Sequence, residues 1–142
     1  MTWGEIQIIA LQKMFAKDEP IKVENLNTLR SDDDCKWYLS AMPAVANEAI
    51  QRIKPYVKNI YEDEKNKKYK KTEVDKIDND TDNDTVINYP EDACVLIPLY
   101  IASQLYKDDD ISQATAYRNE FETGLQDLIC NIENQESIKE VY

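Results

Sequence analysis

Four carboxylates alternate with amides and a hydroxyl in Asp78-Asn79-Asp80-Thr81-Asp82-Asn83-Asp84. Alternating carboxylates are how a loop surrounds a hard cation such as calcium with oxygen ligands. Asp78, Asp80, Asp82 and Asp84 are therefore the candidate metal ligands. The match breaks at its two most discriminating positions. Asn83 stands where the sharp turn of such a loop wants Gly, and Tyr89 stands where a bidentate Glu closes the shell. A solvated acidic turn accounts for the same residues, and no cofactor is expected.

Two aspartate triplets, Asp32-Asp33-Asp34 and Asp108-Asp109-Asp110, have the residue type for acid–base or two-metal chemistry. Each also directly precedes a long amphipathic pattern, where capping and the positive end of a helix dipole favour carboxylates. Helix starts explain both. The basic cluster Lys65, Lys67, Lys68, Lys70 and Lys71, with Tyr61 and Tyr69, could touch nucleic acid through charge and stacking. An acidic run follows it closely, so a solvated arm is the plainer reading.

Other chemistry is limited by what is missing. The 142 residues include no histidine, which removes Ser-His-Asp and Cys-His catalysis and most zinc sites. The two glycines, Gly4 and Gly124, both fall in helical patterns, so neither a phosphate loop nor a dinucleotide fingerprint can be built. A non-enzyme is expected. The formal charge is -11, from 17 Lys+Arg against 28 Asp+Glu. Non-specific nucleic-acid affinity comes from cations that displace counterions, so a coating role on DNA or RNA is excluded. Cys35, Cys94 and Cys130 lack metal-ligand spacing and read as small buried hydrophobes in a reducing compartment. The first residues carry no signal-peptide pattern. The longest apolar stretch, residues 93–102, contains Pro98 and is too short to cross a bilayer, so a soluble intracellular protein is expected.

The elements that must position these groups follow from periodicity. Thr2 and Glu5 form a capping box, and Ile6, Ile9, Leu11, Met14 and Phe15 give a first helix that Asp18, Glu19 and Pro20 stop. Residues 21–30 read as a short helical turn within a connection. After Ser31, a second long helix carries Trp37, Tyr38, Met42, Val45, Ala49, Ile50 and Ile53 on its apolar face. Pro43 predicts a kink, and Pro55 predicts the end. Pro90, Glu91 and Asp92 open a helix that is apolar almost all round to Leu105, the central one of the domain, with a kink at Pro98. A final amphipathic helix uses Ala114, Tyr117, Phe121, Leu125, Leu128 and Ile132, with Arg118, Asn119, Glu120 and Glu122 facing away.

Between the second and central helices, residues 61–89 are charged and poor in large apolar side chains. They predict a protruding arm, as a β-hairpin or a long arm with a mobile tip. Residues 133–142 are polar apart from Ile138, Val141 and Tyr142, a pattern expected of a disordered tail that docks through its apolar end. The expected fold class is therefore mainly α: a small helical bundle over residues 1–132 with an inserted charged arm and an extended C-terminal tail.

The stretch Leu96-Ile-Pro-Leu-Tyr-Ile-Ala-Ser-Gln-Leu-Tyr-Lys-Asp-Asp-Asp110, followed by Ala116-Tyr-Arg-Asn-Glu-Phe-Glu122, resembles the head–tail connector (adaptor) proteins of tailed bacteriophages. Asn47-Glu-Ala-Ile50, in the helix that opens after Ser31-Asp-Asp-Asp34, is similar to the first core helix of that family. Together these segments cover about half the chain, residues 31–53 and 90–128. The resemblance implies a homo-oligomeric ring in the virion neck, between capsid portal and tail, that assembles in the host cytoplasm. The expected partners are copies of itself, the portal protein and a downstream neck or tail protein, with genome DNA passing through unbound and no membrane contact. Expected contact residues are Lys67, Lys68, Lys70 and Lys71 in the arm, toward a neighbouring subunit or the next tail component. Ile138, Val141 and Tyr142 in the tail are expected to face the portal. The alternative from another class is a small acidic cytoplasmic module that mimics nucleic acid toward a basic partner.

Overall fold

The computed structural model describes residues 1–15, 20–63, 76–87 and 89–141, with side chains as far as 57 in the second segment and 130 in the last. The chain is mainly helical. Helix α1 spans Trp3–Met14, a 3-10 turn Val23–Asn25 leads into α2, Leu26–Leu29, and α3 spans Lys36–Asp63. A short α4, Glu91–Cys94, precedes α5, Leu96–Leu105, and α6 covers Ile111–Val141.

Helix α5 is the centre of the bundle and packs against α1, α3 and α6. Its direction is opposite to that of α3 and α6. Tyr38 at the start of α3 meets Asp109 just before α6, and further along Arg52 meets Glu122, so α3 and α6 run parallel. Tyr100 on α5 lies between them, donating its hydroxyl to Glu48 at 3.2 Å and touching the Phe121 ring at 5.0 Å. Helix α1 runs back along the bundle, and its Lys13 carbonyl accepts the Tyr117 hydroxyl at 2.6 Å. The core is continuous through Trp3, Leu11, Leu39, Met42, Ile53, Ile97, Ile101 and Phe121, all buried. Gly124 on α6 faces Leu96 at the start of α5, which occupies the space a Cβ would need.

Helix boundaries depart from expectation in instructive ways. Pro43 and Pro55 both lie inside α3, which runs through Pro55 to Asp63 instead of ending there. The central helix breaks at Val95, one turn before Pro98. A proline at 98 has no N–H for the carbonyl of Cys94, so the ladder is interrupted at that turn. Of the aspartate triplets, the second caps a helix and the first forms a turn that ends before α3 begins at Lys36. Asp32 accepts the backbone N–H of Asp34 at 2.8 Å in an Asx turn, while Asp110 caps α6 by accepting that of Gln113 at 3.0 Å. Helix α6 continues through Val141, past residue 132 where the sequence pattern places the start of a tail.

The larger correction concerns residues 76–87. Among the described residues this part of the expected arm does not protrude. Ile77 and Ile87 are 2% and 1% exposed, and burying each contributes roughly 1.5–3 kcal/mol, enough to hold a short polar loop against the bundle. Asn47 on α3 pins the entry, accepting from the Ile77 N–H at 3.0 Å and donating to its carbonyl at 2.8 Å. The exit runs antiparallel to the N-terminus, with a single bridge between Thr2 and Val86. There the loop carbonyls of Thr85 and Asn83 take the otherwise unpaired N–H groups of Trp3 and Gly4, at 2.8 and 2.9 Å. With the Thr2–Glu5 capping box also formed, the start of α1 is closed by loop and cap together. Gly4 permits this approach, since a Cβ there would lie 3.0 Å from the Asn83 carbonyl oxygen. Residues 64–75, which hold the lysine cluster of the expected arm and bear on its form, lie outside the described residues.

Candidate interaction surfaces

At one end of the bundle the starts of α3 and α6 come together with the last residue after α1. Phe15 packs edge-on against Tyr38 at 5.2 Å, and Trp37 does the same at 5.0 Å. Burial, and then the hydrogen bond to the Asp109 carboxylate, push the Tyr38 phenol up to about 12. Trp37 itself is 57% exposed, and Ile111, which opens α6 at the same end, is 69% exposed. Trp37 was expected on the buried face of α3. The buried stripe is instead Leu39, Met42, Ala46, Ala49, Ile53 and Val57, and Trp37 precedes Leu39 by two residues, about 200° around the helix. The turns that lead into α3 and α6 carry Asp33, Asp34, Asp108, Asp109 and Asp110, all exposed, with Lys36 held on Asp33 at 3.0 Å and Lys107 nearby in sequence. Exposed apolar side chains at an acidic end of the bundle suit a cationic, partly apolar partner.

The loop of residues 78–84 is organised around its own backbone. Asp78 accepts from the Asp80 N–H at 2.8 Å and Asp82 from the Asp84 N–H at 3.0 Å, two successive Asx turns. Thr81 accepts from the Asp78 N–H at 2.9 Å. Among the described residues no three acidic or thiol groups converge closely enough to hold a metal ion. Asn83, the position at odds with a calcium loop, accepts from the Gln7 amide at 2.9 Å and from the Arg30 guanidinium at 3.4 Å. Arg30 also donates to the Gln7 oxygen at 3.2 Å, so Gln7, only 1% exposed, is satisfied at both ends of its amide. Between Asn27, Arg30, Asn79, Thr81, Asp82 and Asn83 lies an open polar groove of about 330 Å³.

A third group of residues joins the segments that carry the connector resemblance. Arg52 makes a paired contact with Glu122, at 2.8 and 3.1 Å, and lies over the Phe121 ring at 5.0 Å. The Arg52 hydrogen bonds hold the Glu122 carboxyl below its ordinary value, and Glu122 in turn raises Arg52. Glu122 therefore does not simply face away from the bundle as its place in the helical pattern suggests. Burial, and then the Glu48 carboxylate, raise the Tyr100 phenol.

The expected contact residues divide by position. Lys67, Lys68, Lys70, Lys71 and Tyr142, and the side chains of Ile138 and Val141, lie outside the described residues. Of the cysteines, Cys35 and Cys94 are buried as expected, but Cys130 is exposed on α6. Its place among Ile129 and Leu128 suggested burial, yet it is two residues past Leu128 and turns away from the stripe. Among the described residues, no helix is long and apolar enough to cross a membrane. Comparisons with protein-family models, with curated proteins and with solved structures find no match for this chain.

Proposed function

We propose that this chain is a structural subunit of the neck of a tailed virus, one copy in a ring between capsid portal and tail. The observation that carries the reading is the meeting of Glu48, Tyr100, Phe121, Arg52 and Glu122. All but Arg52 come from the quoted motifs, and Arg52 lies in the same helical segment as Asn47-Glu-Ala-Ile50. These pieces are separate in sequence and form one packed unit in the bundle.

The charge supports the same role. With a formal charge of -11, copies arranged around a passage would repel each phosphate instead of holding it, which suits a channel through which a genome slides. Like-charged copies also repel one another, so the free protein associates weakly and forms rings mainly on its portal partner.

The test is electron microscopy of the purified protein mixed with capsids that have a portal and no tail. A ring of added density at the portal vertex is the expected result. A bare vertex at saturating protein overturns the proposal, and tight binding to a basic DNA-handling protein in its place supports the acidic regulatory module.

A further inference from the structure

Arg30, which caps the end of α2, and Asp82, in the loop of residues 78–84, line the same polar groove without pairing with each other. Among the described residues the ion pairs are Lys36 with Asp33 and Arg52 with Glu122, so neither charge in the groove is met by an opposite one. Two neutral oxygens hold the Arg30 guanidinium instead, those of Gln7 at 3.2 Å and Asn83 at 3.4 Å, both through Nη2. Its Nε and Nη1 hydrogens have no partner among the described residues. Asn83 receives Gln7 and Arg30 on the same oxygen, which leaves its Nδ2 hydrogens beside the guanidinium and unpaired among the described residues. Asp82 accepts the Asp84 N–H on one carboxylate oxygen and keeps the other open. We propose that this groove binds a small zwitterion of the α-amino-acid type, with its carboxylate on Arg30 and Asn83 and its ammonium on Asp82. The site goes beyond the ring reading and does not depend on it.

Charge and size decide the class of ligand. A divalent cation needs several oxygen ligands, whereas this groove offers a single carboxylate and a fixed guanidinium that repels the ion. A phosphate dianion suits Arg30 but meets Asp82, in a loop that also carries Asp78, Asp80 and Asp84, on a chain of charge -11. A ligand with one charge of each sign satisfies both groups and has no net charge for the rest of the chain to repel. Ligand sites are usually lined by apolar side chains and run to roughly 300–1,000 Å³. This groove, at about 330 Å³, is at the small end, and every residue lining it is polar. A small, wholly polar ligand is what remains.

The groups that would hold it are set in place beforehand. One hydrogen bond of Arg30 goes to Gln7, which is 1% exposed in α1. The Asx turn orients the Asp82 carboxylate, and the carbonyls of Asn83 and Thr85 tie that stretch of loop to Gly4 and Trp3. Groups already ordered lose little freedom on binding. A carboxylate also accepts from a guanidinium more strongly than a neutral oxygen or water does.

The test titrates the full-length protein with glycine and follows the Arg30 Nε–H and the Asn83 side-chain amide by two-dimensional NMR. Both signals are expected to shift and to saturate. Acetate and methylammonium each carry half of the charge pattern, and should bind about tenfold or more weakly. Asp82→Asn keeps an oxygen for the Asp84 N–H and removes the charge. In that variant glycine should weaken about tenfold or more, while acetate binds at least as well as before. Absence of a saturable shift with glycine in the wild type overturns the proposal. Equal glycine affinity in the wild type and Asp82→Asn does so as well. Saturation by acetate or inorganic phosphate at or below the glycine concentration would show a plain anion site at Arg30 and overturn the zwitterion. None of these outcomes bears on whether the chain forms rings at a portal, so the two readings fail separately.

Discussion

The Tyr38 hydroxyl donates to the Asp109 carboxylate and thereby ties the first turn of α3 to the residue two before α6. The two helices begin at one end of the bundle because of this pair and the aromatic packing of Phe15 and Trp37 around it. Loss of the hydroxyl in Tyr38→Phe should lower stability by roughly 0.5–1.5 kcal/mol at neutral pH. The phenol's ordinary value of 10.0 rises to about 12 in the folded chain. Folding therefore favours the protonated form, and that contribution is complete below pH 10 and fades as pH climbs toward 12. Denaturant melts of the two proteins should differ most below pH 10 and converge above it. Ultraviolet titration should show one late-ionising tyrosine in the wild type that is missing from the variant. A constant gap across this range would show that the hydroxyl's contribution does not depend on its proton.

Asn47 holds residues 76–87 to the bundle through two backbone hydrogen bonds to the buried Ile77. Asn47→Ala leaves that N–H and carbonyl without their partner, at a cost of about 2–4 kcal/mol for the two groups. The effect should be local before it is global. Limited proteolysis of the variant should cut within residues 76–87 under conditions where the wild type resists, and hydrogen exchange at Trp3 and Gly4 should quicken because their acceptors sit on the same loop. Equal protection in the two proteins would show that Ile77 and Ile87 hold the loop by burial alone.

The helices were legible because their causes are local. The capping box at Thr2 and Glu5, the aspartate cap of α6, and the central position of α5 could all be read from residue types and 3.6-residue spacing. Loop residues 76–87 were not. A composition rich in Asp and Asn suggests solvent, and two isoleucines ten residues apart have no periodicity to announce that they are buried. Asn83 likewise looks like a defect in a cation loop until Gln7 and Arg30 are brought to it from 76 and 53 residues away. The exposure of Trp37 was misjudged for a related reason. An aromatic side chain at the edge of a helical pattern is assigned to the core unless the stripe through Leu39 is traced first.

The three cysteines should separate by reactivity. Cys94 is buried, donates toward the carbonyls of Tyr89 and Ile87 at 3.4 and 3.6 Å, and burial raises its thiol above the ordinary value, so the reactive thiolate is scarce. Cys35 is 1% exposed in the core beneath the start of α3. Cys130 is exposed on α6, with the Gln126 amide 3.8 Å from its sulfur. A thiol reagent added to the native protein should label Cys130 first, and Cys35 and Cys94 at rates set by unfolding of the bundle. Mass mapping after brief exposure should therefore find label on one peptide, with the other two appearing together as denaturant is raised through the unfolding midpoint. Early labelling of Cys94 with Cys35 still protected would mean that the break between α4 and α5 opens by itself, making the turn before Pro98 the weakest point of the fold.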